Sequence, residues 1–248
     1  MLRRIRKRIS KTGASLALLS LELIIVFVLF FISLILFILI AKNVFLSNKH
    51  EIDTKGFAFV ARLVNDVNTD IMQFFTFLGT HYFLIPANLL LIAYFLFIKK
   101  HKWYSIKIPV ISATTTGMLF FMKQLFNRPR PLIPLLKEAR GLSFPSGHAM
   151  ISFTFYGLLI YIVWQSVEKA WVKWTLTILL SLVIFMIGFS RIYLRVHYTT
   201  DVLAGFCVGL VWLVIAILVL QRIEKYSKRN INPVVAQEGE PTQLKASA

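Results

Sequence analysis

One cysteine, Cys207, stands among 248 residues, so no disulfide can form within the chain and no cysteine cluster can hold a metal. Lying inside an apolar stretch, it reads as a small core residue. Acid is scarce as well: 11 Asp and Glu face 28 Lys and Arg, a formal net charge of +17. In a water-soluble chain that excess would point to nucleic acid. Here 57% of residues are hydrophobic and 14% aromatic, with a mean hydropathy of +0.71, which places the chain in a bilayer, where a positive excess is an ordinary topology signal. No nucleic-acid partner is expected. Low-complexity tracts and internal repeats are lacking, and the only segment with the composition of a disordered tail runs from about Asn230 to Ala248, polar and carrying Pro233 and Pro241. A cleaved signal peptide is not expected either. The first apolar run, interrupted by Glu22 near its basic end, continues to Ala41, too long for a signal core and without a convincing cleavage site.

A membrane-crossing helix needs about 20 apolar residues. Six stretches qualify: Leu16 to Ala41, His81 to Ile98, Ile106 to Leu125, Ala149 to Trp164, Trp171 to Phe189 and Val202 to Leu220. The expected fold is all-α, a six-transmembrane helix bundle with interfacial helices between helices 1 and 2. Those interfacial helices fall in Lys42 to Thr80, where Phe57, Val60, Leu63, Val64 and Val67 recur at helical spacing among charges; a solvated amphipathic connector accounts for the pattern. The expected organisation is a basic cytoplasmic N-terminus over 1–15, a six-helix membrane domain over 16–227 and a cytoplasmic polar tail over 228–248.

Lys and Arg set the orientation, because cytoplasmic segments retain them. With the N-terminus inside, 17 of the 28 fall on the cytoplasmic side and 11 opposite. Four of the 11, Lys42, Lys49, Lys55 and Arg62, share a loop with Glu51, Asp53, Asp66 and Asp70. The other seven, Lys123, Arg128, Arg130, Lys137, Arg140, Arg191 and Arg195, gather around three fragments: Lys123 to Pro131, Pro145 to His148 and Ser190 to Asp201. Cations that defy the topology rule and collect on one face call for an anion there.

Each fragment carries its own chemistry. Lys123 ends the third span and Arg130 follows a break forced by Pro129, so the two can converge from different elements. A planar guanidinium fork and a compact ammonium together can neutralise a dianion without a metal; anchoring at the membrane interface would explain the pair about as well. In Pro145-Ser146-Gly147-His148 the turn leads into a helix whose first N–H groups, with the Ser146 hydroxyl, favour an anion. His148 stands where it can exchange a proton with a leaving-group oxygen. His197 and Asp201 share a face if the sixth helix begins near Val196, so the carboxylate can hold one imidazole nitrogen and leave the other free to attack. That arrangement favours a covalent phosphohistidine over direct attack by water. Arg191 can clamp the transferring oxygens. A structural pair, or half of a metal site, would use the same spacing, but no third or fourth ligand follows at the usual intervals. His50, His81 and His101 are isolated and read as interface residues.

Taken together, the fragments resemble the signature of the type 2 phosphatidic acid phosphatase superfamily: Lys, six residues, Arg-Pro; then Pro-Ser-Gly-His; then Ser-Arg, five residues, His, three residues, Asp. Lys123, Arg130 and Pro131, then Pro145 to His148, then Ser190, Arg191, His197 and Asp201 meet every fixed position in order. The resemblance covers roughly Asn65 to Leu220. It implies a six-helix membrane enzyme that hydrolyses a lipid phosphate with no metal and no cofactor. His197 would be the nucleophile, Asp201 its partner and His148 the proton donor, with Lys123, Arg130, Ser146, Gly147 and Arg191 binding the phosphoryl group.

The expected partners are a lipid phosphate or diphosphate substrate and membrane lipids, with undecaprenyl diphosphate first and phosphatidic acid, phosphatidylglycerol phosphate or a lipid A phosphate as alternatives. Arg128 is an extra cation, placed either for a second phosphate or for headgroup anchoring. The expected location is a bacterial inner or plasma membrane, with both termini cytoplasmic and the site extracytoplasmic. A transporter or binding protein for anionic lipids is the reading from another class, and the proton donor and His/Asp pair speak against it. A vanadate-dependent haloperoxidase would share the motifs but requires a soluble helical body.

Overall fold

The computed structural model describes residues 2–47, 50–136 and 140–231, with side chains described from residue 24 to residue 229 outside the gaps. It is built from α1 (Leu2–Phe45), α2 (Glu51–Ala61), α3 (Asp66–Leu78), α4 (His81–Ala93), α5 (Lys102–Phe126), α6 (Gly147–Ser166), α7 (Ala170–Tyr193) and α8 (Thr199–Tyr226). Helix α4 widens into a π turn over Tyr94–Ile98 and α8 into another over Ser227–Ile231. Among the described residues six helices are long and apolar enough to cross a membrane: α1, α4, α5, α6, α7 and α8. They coincide with the six expected stretches and extend beyond most of them. The helix runs on through Ile231, so the first residues assigned to the polar tail still belong to α8 and its π turn. The rest of that tail, 232–248, lies outside the described residues, as does Lys137.

Helix α6 is the hub. It packs against α5, α7 and α8, while α1 leans on α8, α4 on α5 and α3 on α7. Of the buried hydroxyls on α6, Thr154 returns its own to the Met150 carbonyl at 2.9 Å, whereas Ser152 Oγ has no partner. A cluster of Leu84, Phe155, Tyr156, Ile184 and Ile187 fills the middle of the bundle. A second cluster, of Phe95, Ile108, Ile111, Leu158, Ile162, Leu213 and Leu220, fills the end where α8 finishes. That end also holds a buried ion pair, Lys107 to Glu224 at 2.5 Å. In α1, by contrast, Ile24 to Leu29 and most of Phe31 to Leu39 are exposed apolar side chains, as a helix facing lipid tails requires.

The α1–α4, α5–α6 and α7–α8 connections share the opposite end of the bundle. There Val60 and Met72 of the interfacial helices pack with Ala149, Ile192, Tyr193, Leu194, Val196 and Val202. Helices α2 and α3 are therefore docked onto α7 and α8 and are more than a solvated connector. Glycine permits one of the closest approaches: a Cβ at Gly205 would lie 2.8 Å from the Ser146 carbonyl oxygen, so only glycine lets α8 rest on the start of α6. The three motif fragments all lie at this end.

Candidate active site

Helix α5 stops because Asn127 turns left-handed, φ 42°, with its N–H on the Lys123 carbonyl at 2.9 Å. Asparagine tolerates that conformation, and Arg128-Pro129-Arg130 then leaves the helix in a new direction. A second reversal follows α7. Arg195 takes φ 53°, and the N–H groups of Val196 and His197 both reach the Arg191 carbonyl, at 3.2 and 3.3 Å. This loop carries His197 back beside Arg191. Tyr198 is extended, φ −72° and ψ 156°, and α8 begins at Thr199.

The expected helix start near Val196 is thus three residues early. His197 precedes the helix and does not share its face with Asp201. The two meet because Asp201 sits in the first turn, where its Oδ2 accepts the Tyr198 N–H at 3.0 Å and folds the carboxylate back toward the loop.

His197 is buried, 1% exposed. Its Nδ1 faces Asp201 Oδ2 at 3.5 Å and Ser143 Oγ at 3.3 Å. Its Nε2 faces Arg130 Nη1 at 3.2 Å. A guanidinium can only donate, so Nε2 is the bare nitrogen and the imidazole proton belongs on Nδ1, toward the carboxylate. Burial pushes the His197 pKa down to about 4; the charges of Arg130 and Arg191 act in the same direction, and the Asp201 hydrogen bond opposes them. The imidazole is accordingly neutral at physiological pH and carries its lone pair on Nε2.

Asp201 is saturated. Oδ1 accepts from Arg128 Nη1 at 2.5 Å, and Oδ2 accepts the Ser143 hydroxyl besides the Tyr198 N–H. The second guanidinium nitrogen of Arg128 donates to Asp53 Oδ2 at 2.7 Å, and the Tyr198 ring covers the guanidinium at 4.0 Å. Arg128 therefore neither reaches for a second phosphate nor anchors to headgroups. It is 6% exposed, an ion-pair member inside the protein.

The other predicted residues gather on the far side of His197. Arg130 donates Nε to the Gly141 carbonyl at 3.0 Å and Nη1 to the Val196 carbonyl at 2.9 Å, and burial holds its pKa below the ordinary value. Lys123 Nζ donates to the Leu142 carbonyl and has Arg130 and Asp201 as electrostatic neighbours. Arg191 bonds Thr76 Oγ1 through Nη1 at 3.3 Å, and Thr76 in turn meets Ser190 Oγ at 2.6 Å. His148 lies within the fields of Arg191, His197 and Arg130. On this side Ser146 Oγ, His148 Nε2 and Arg191 Nε are buried without a hydrogen-bond partner. Ser146 is the N-cap of α6 yet its hydroxyl caps nothing, and its N–H goes to the Asp201 carbonyl at 2.9 Å. The serine therefore contributes its hydroxyl and not its amide to any anion, while Gly147 opens the helix. Three buried polar atoms lacking partners are costly in a finished core, and these three suit phosphoryl oxygens and a leaving oxygen. Among the described residues no three His, Cys, Asp or Glu side chains are grouped as metal ligands.

Beside His148 the chain bends at Gly79, where a Cβ would come within 3.1 Å of His148 Cδ2 and 2.6 Å of Ile187. From Gly79 a cavity of about 230 Å³ runs between α4, α5 and α6, lined by Leu84, Ile111, Thr115, Ile151 and Phe155 among others. The polar groups in its wall are mostly turned to partners, Thr115 donating to the Ile111 carbonyl at 2.7 Å and Ser112 to Asn88 Oδ1 at 2.7 Å. The cavity is an apolar slot leading to a polar site.

Asp53, Ser143 and Thr200 escape the sequence reading. Asp53 looks like one of four acids offsetting loop cations, and nothing local ties it to Thr200, 147 residues away. The one usable signal is charge: Arg128 at the end of a span calls for a carboxylate partner, and the Lys42 to Thr80 segment on the same side carries four acids.

Comparison with known proteins identifies the family. The PAP2 superfamily matches residues 104–225. Phosphatidylglycerophosphatase B of Bacillus subtilis is 30% identical over 182 residues, 72% of this chain and 89% of that protein. An undecaprenyl-diphosphatase of Sulfolobus acidocaldarius is 29% identical over 145 residues, 56% of this chain and 64% of that protein. The crystal structure of a transmembrane PAP2-type phosphatidylglycerolphosphate phosphatase from Bacillus subtilis superposes with a TM-score of 0.68 at 26% identity, covering 80% of this chain and 96% of that one. With 89% of the phosphatidylglycerophosphatase's length matched at 30% identity, the chain belongs to the PAP2 superfamily, as a multi-pass membrane phosphoric ester hydrolase of the lipid phosphatase kind.

Proposed function

We propose that the protein removes the terminal phosphoryl group of a membrane lipid phosphate or diphosphate in two displacements through a phosphohistidine. The observation that carries this reading is the asymmetry of His197, whose Nδ1 faces a fixed carboxylate while its bare Nε2 faces Arg130 and the unpartnered atoms of Ser146, His148 and Arg191. In the first step the Nε2 lone pair attacks phosphorus, the bond from phosphorus to the lipid oxygen breaks, and that oxygen takes a proton from His148. In the second, water attacks the phosphohistidine as His148 takes its proton, and inorganic phosphate leaves with His197 restored. Lys123, Arg130 and Arg191, with the Ser146 hydroxyl and the Gly147 N–H, hold the non-bridging oxygens as charge spreads over them. Three cations supply the neutralisation that a divalent ion provides in other phosphatases.

The lipid character follows from the apolar slot at Gly79, which gives a hydrocarbon chain a place beside the proton donor. Undecaprenyl diphosphate is the first lipid to test, as the substrate named for a relative. Phosphatidylglycerol phosphate is the second reading, favoured by the relative matched over 89% of its length. The positive bias supports a topology with both termini in the cytoplasm and the site at the outer face of a bacterial inner or plasma membrane.

Purified protein in detergent, supplied with each lipid and a chelator, should release inorganic phosphate, and His197→Ala should abolish release while eluting as a folded species. Full activity in the alanine variant would end the nucleophile assignment. Comparing kcat/KM across the lipids names the substrate. Labels at the N-terminus and in the α5–α6 loop should report opposite sides, and same-side labelling would overturn the orientation.

A further inference from the structure

Asp53, Arg128 and Asp201 form a line of charge in which every group is at least nine-tenths buried: Asp53 is 2% exposed, Arg128 6% and Asp201 0%. Burying three ions is expensive, and nothing in packing alone requires it. The geometry shows where the cost goes. Asp53 reaches across from α2 to the first turn of α8, accepting the Thr200 N–H at 2.9 Å and the Thr200 hydroxyl at 2.8 Å on Oδ1. It caps, from another helix, the turn that contains Asp201. Its Oδ2 holds one nitrogen of Arg128, and the other nitrogen bridges Thr200 Oγ1 at 2.8 Å and Asp201 Oδ1 at 2.5 Å.

From these contacts we infer that Asp53 and Arg128 are a positioning pair for the reaction, fixing Asp201 so that its Oδ2 edge stays against His197 Nδ1. The inference rests on the proposed role of His197 as nucleophile.

Two physical arguments support it. The first is orientation. With Oδ1 locked by Arg128 and Oδ2 by Ser143 and the Tyr198 N–H, the carboxylate cannot rotate, so the imidazole is held by a fixed edge. The second is charge. Arg128 alone beside Asp201 would make a neutral pair, poor at stabilising the positive imidazole that forms as phosphorus is attacked. Asp53 takes up the guanidinium from its other side, and the three-membered line keeps a net charge of −1 facing His197. The pair also crosses a boundary: Arg128 lies within the matched residues 104–225 and Asp53 before them, so the interfacial helix α2 belongs to the reaction machinery.

The experiment compares wild type, Asp53→Asn, Arg128→Lys and Thr200→Val in detergent, reading kcat, KM, the rate of phosphoenzyme formation from a labelled lipid phosphate, and the folded fraction by size exclusion and thermal unfolding. Asp53→Asn should lower kcat and the phosphorylation rate about 10- to 100-fold per folded molecule while KM stays within about twofold, for a lipid monophosphate and a diphosphate alike. Arg128→Lys, which keeps the charge and loses the fork, should fall between it and wild type. Should Asp53→Asn not fold, Arg128→Lys and Thr200→Val carry the same comparison, each expected to lose kcat with KM held. Loss of stability with unchanged kcat per folded molecule would overturn the proposal, as would a KM increase confined to the diphosphate. Wild-type release that vanishes in His197→Ala, alongside wild-type kinetics in all three variants, would leave the hydrolysis reading standing and remove this one alone.

Discussion

The two flanks of His197 are built on opposite terms. On the Nδ1 flank every strong acceptor is occupied: Asp201 by Arg128, Ser143 and a backbone amide, and Asp53 by Arg128 and Thr200. On the Nε2 flank Ser146 Oγ, His148 Nε2 and Arg191 Nε have no partner in the protein. A saturated polar network stabilises and orients, whereas unpartnered buried atoms cost stability and wait for a ligand. One side chain thus stands between a set of paired polar groups and a set of buried polar atoms left open. The lesson is that satisfaction, more than residue type, tells the two roles apart, since arginines and serines stand on both sides.

The comparison is broken most severely at Asp201. Asp201→Asn keeps the shape but strips the charge and can present an N–H to the imidazole, so kcat should fall by about 10³- to 10⁴-fold, measured as phosphate release per folded molecule. A matched pair of serines sharpens the contrast. Ser143→Ala removes a donor to the buried Asp201 and should cost about 1–3 kcal/mol of stability, seen as a lower thermal midpoint. Ser146→Ala should lower kcat/KM by about tenfold with a midpoint equal to or above wild type, because it removes an unsatisfied atom. A Ser146→Ala protein as destabilised as Ser143→Ala would erase the distinction between the flanks.

A gentler probe is pH. His197 is held near 4 by burial, below its ordinary 6.5, so between those values the unfolded chain binds the proton that the folded protein refuses. The stability due to this group is complete above about pH 6.5 and declines as pH falls toward about 4. Thermal midpoints across that window, absent the slope in His197→Gln, check the sign. The smallest effect belongs to the far end of the bundle. Lys107 and Glu224 form their ion pair at 2.5 Å where α8 finishes, so Lys107→Met should leave kcat within about twofold.

Much of the bundle is legible without coordinates because a bilayer fixes how long an apolar run must be, and each of the six runs became a helix. The motifs are legible because their residues are close in sequence and sit at helix ends, so few conformations can separate them. What stays hidden depends on contacts the local sequence does not encode. The start of α8 at Thr199 depends on Asp201 folding back to the Tyr198 amide, a cap that the apolar pattern cannot place. Arg128 reads as one more exposed cation until Asp53 is found beside it. Asp53 reads as loop acid because its partners, Arg128 and Thr200, come from the connection after α5 and the first turn of α8.

That last contact gives the protein a birth order. Asp53 leaves the ribosome 147 residues ahead of the Thr200 amide whose hydrogen bond it accepts, and 75 residues ahead of Arg128, its other partner. Each earlier span can enter the bilayer while this acid stays wet, and the carboxylate becomes buried only as α8 threads into place. Closure of the site therefore waits for α8, and a nascent chain halted before Asp201 carries the cations around His197 without the carboxylate behind it.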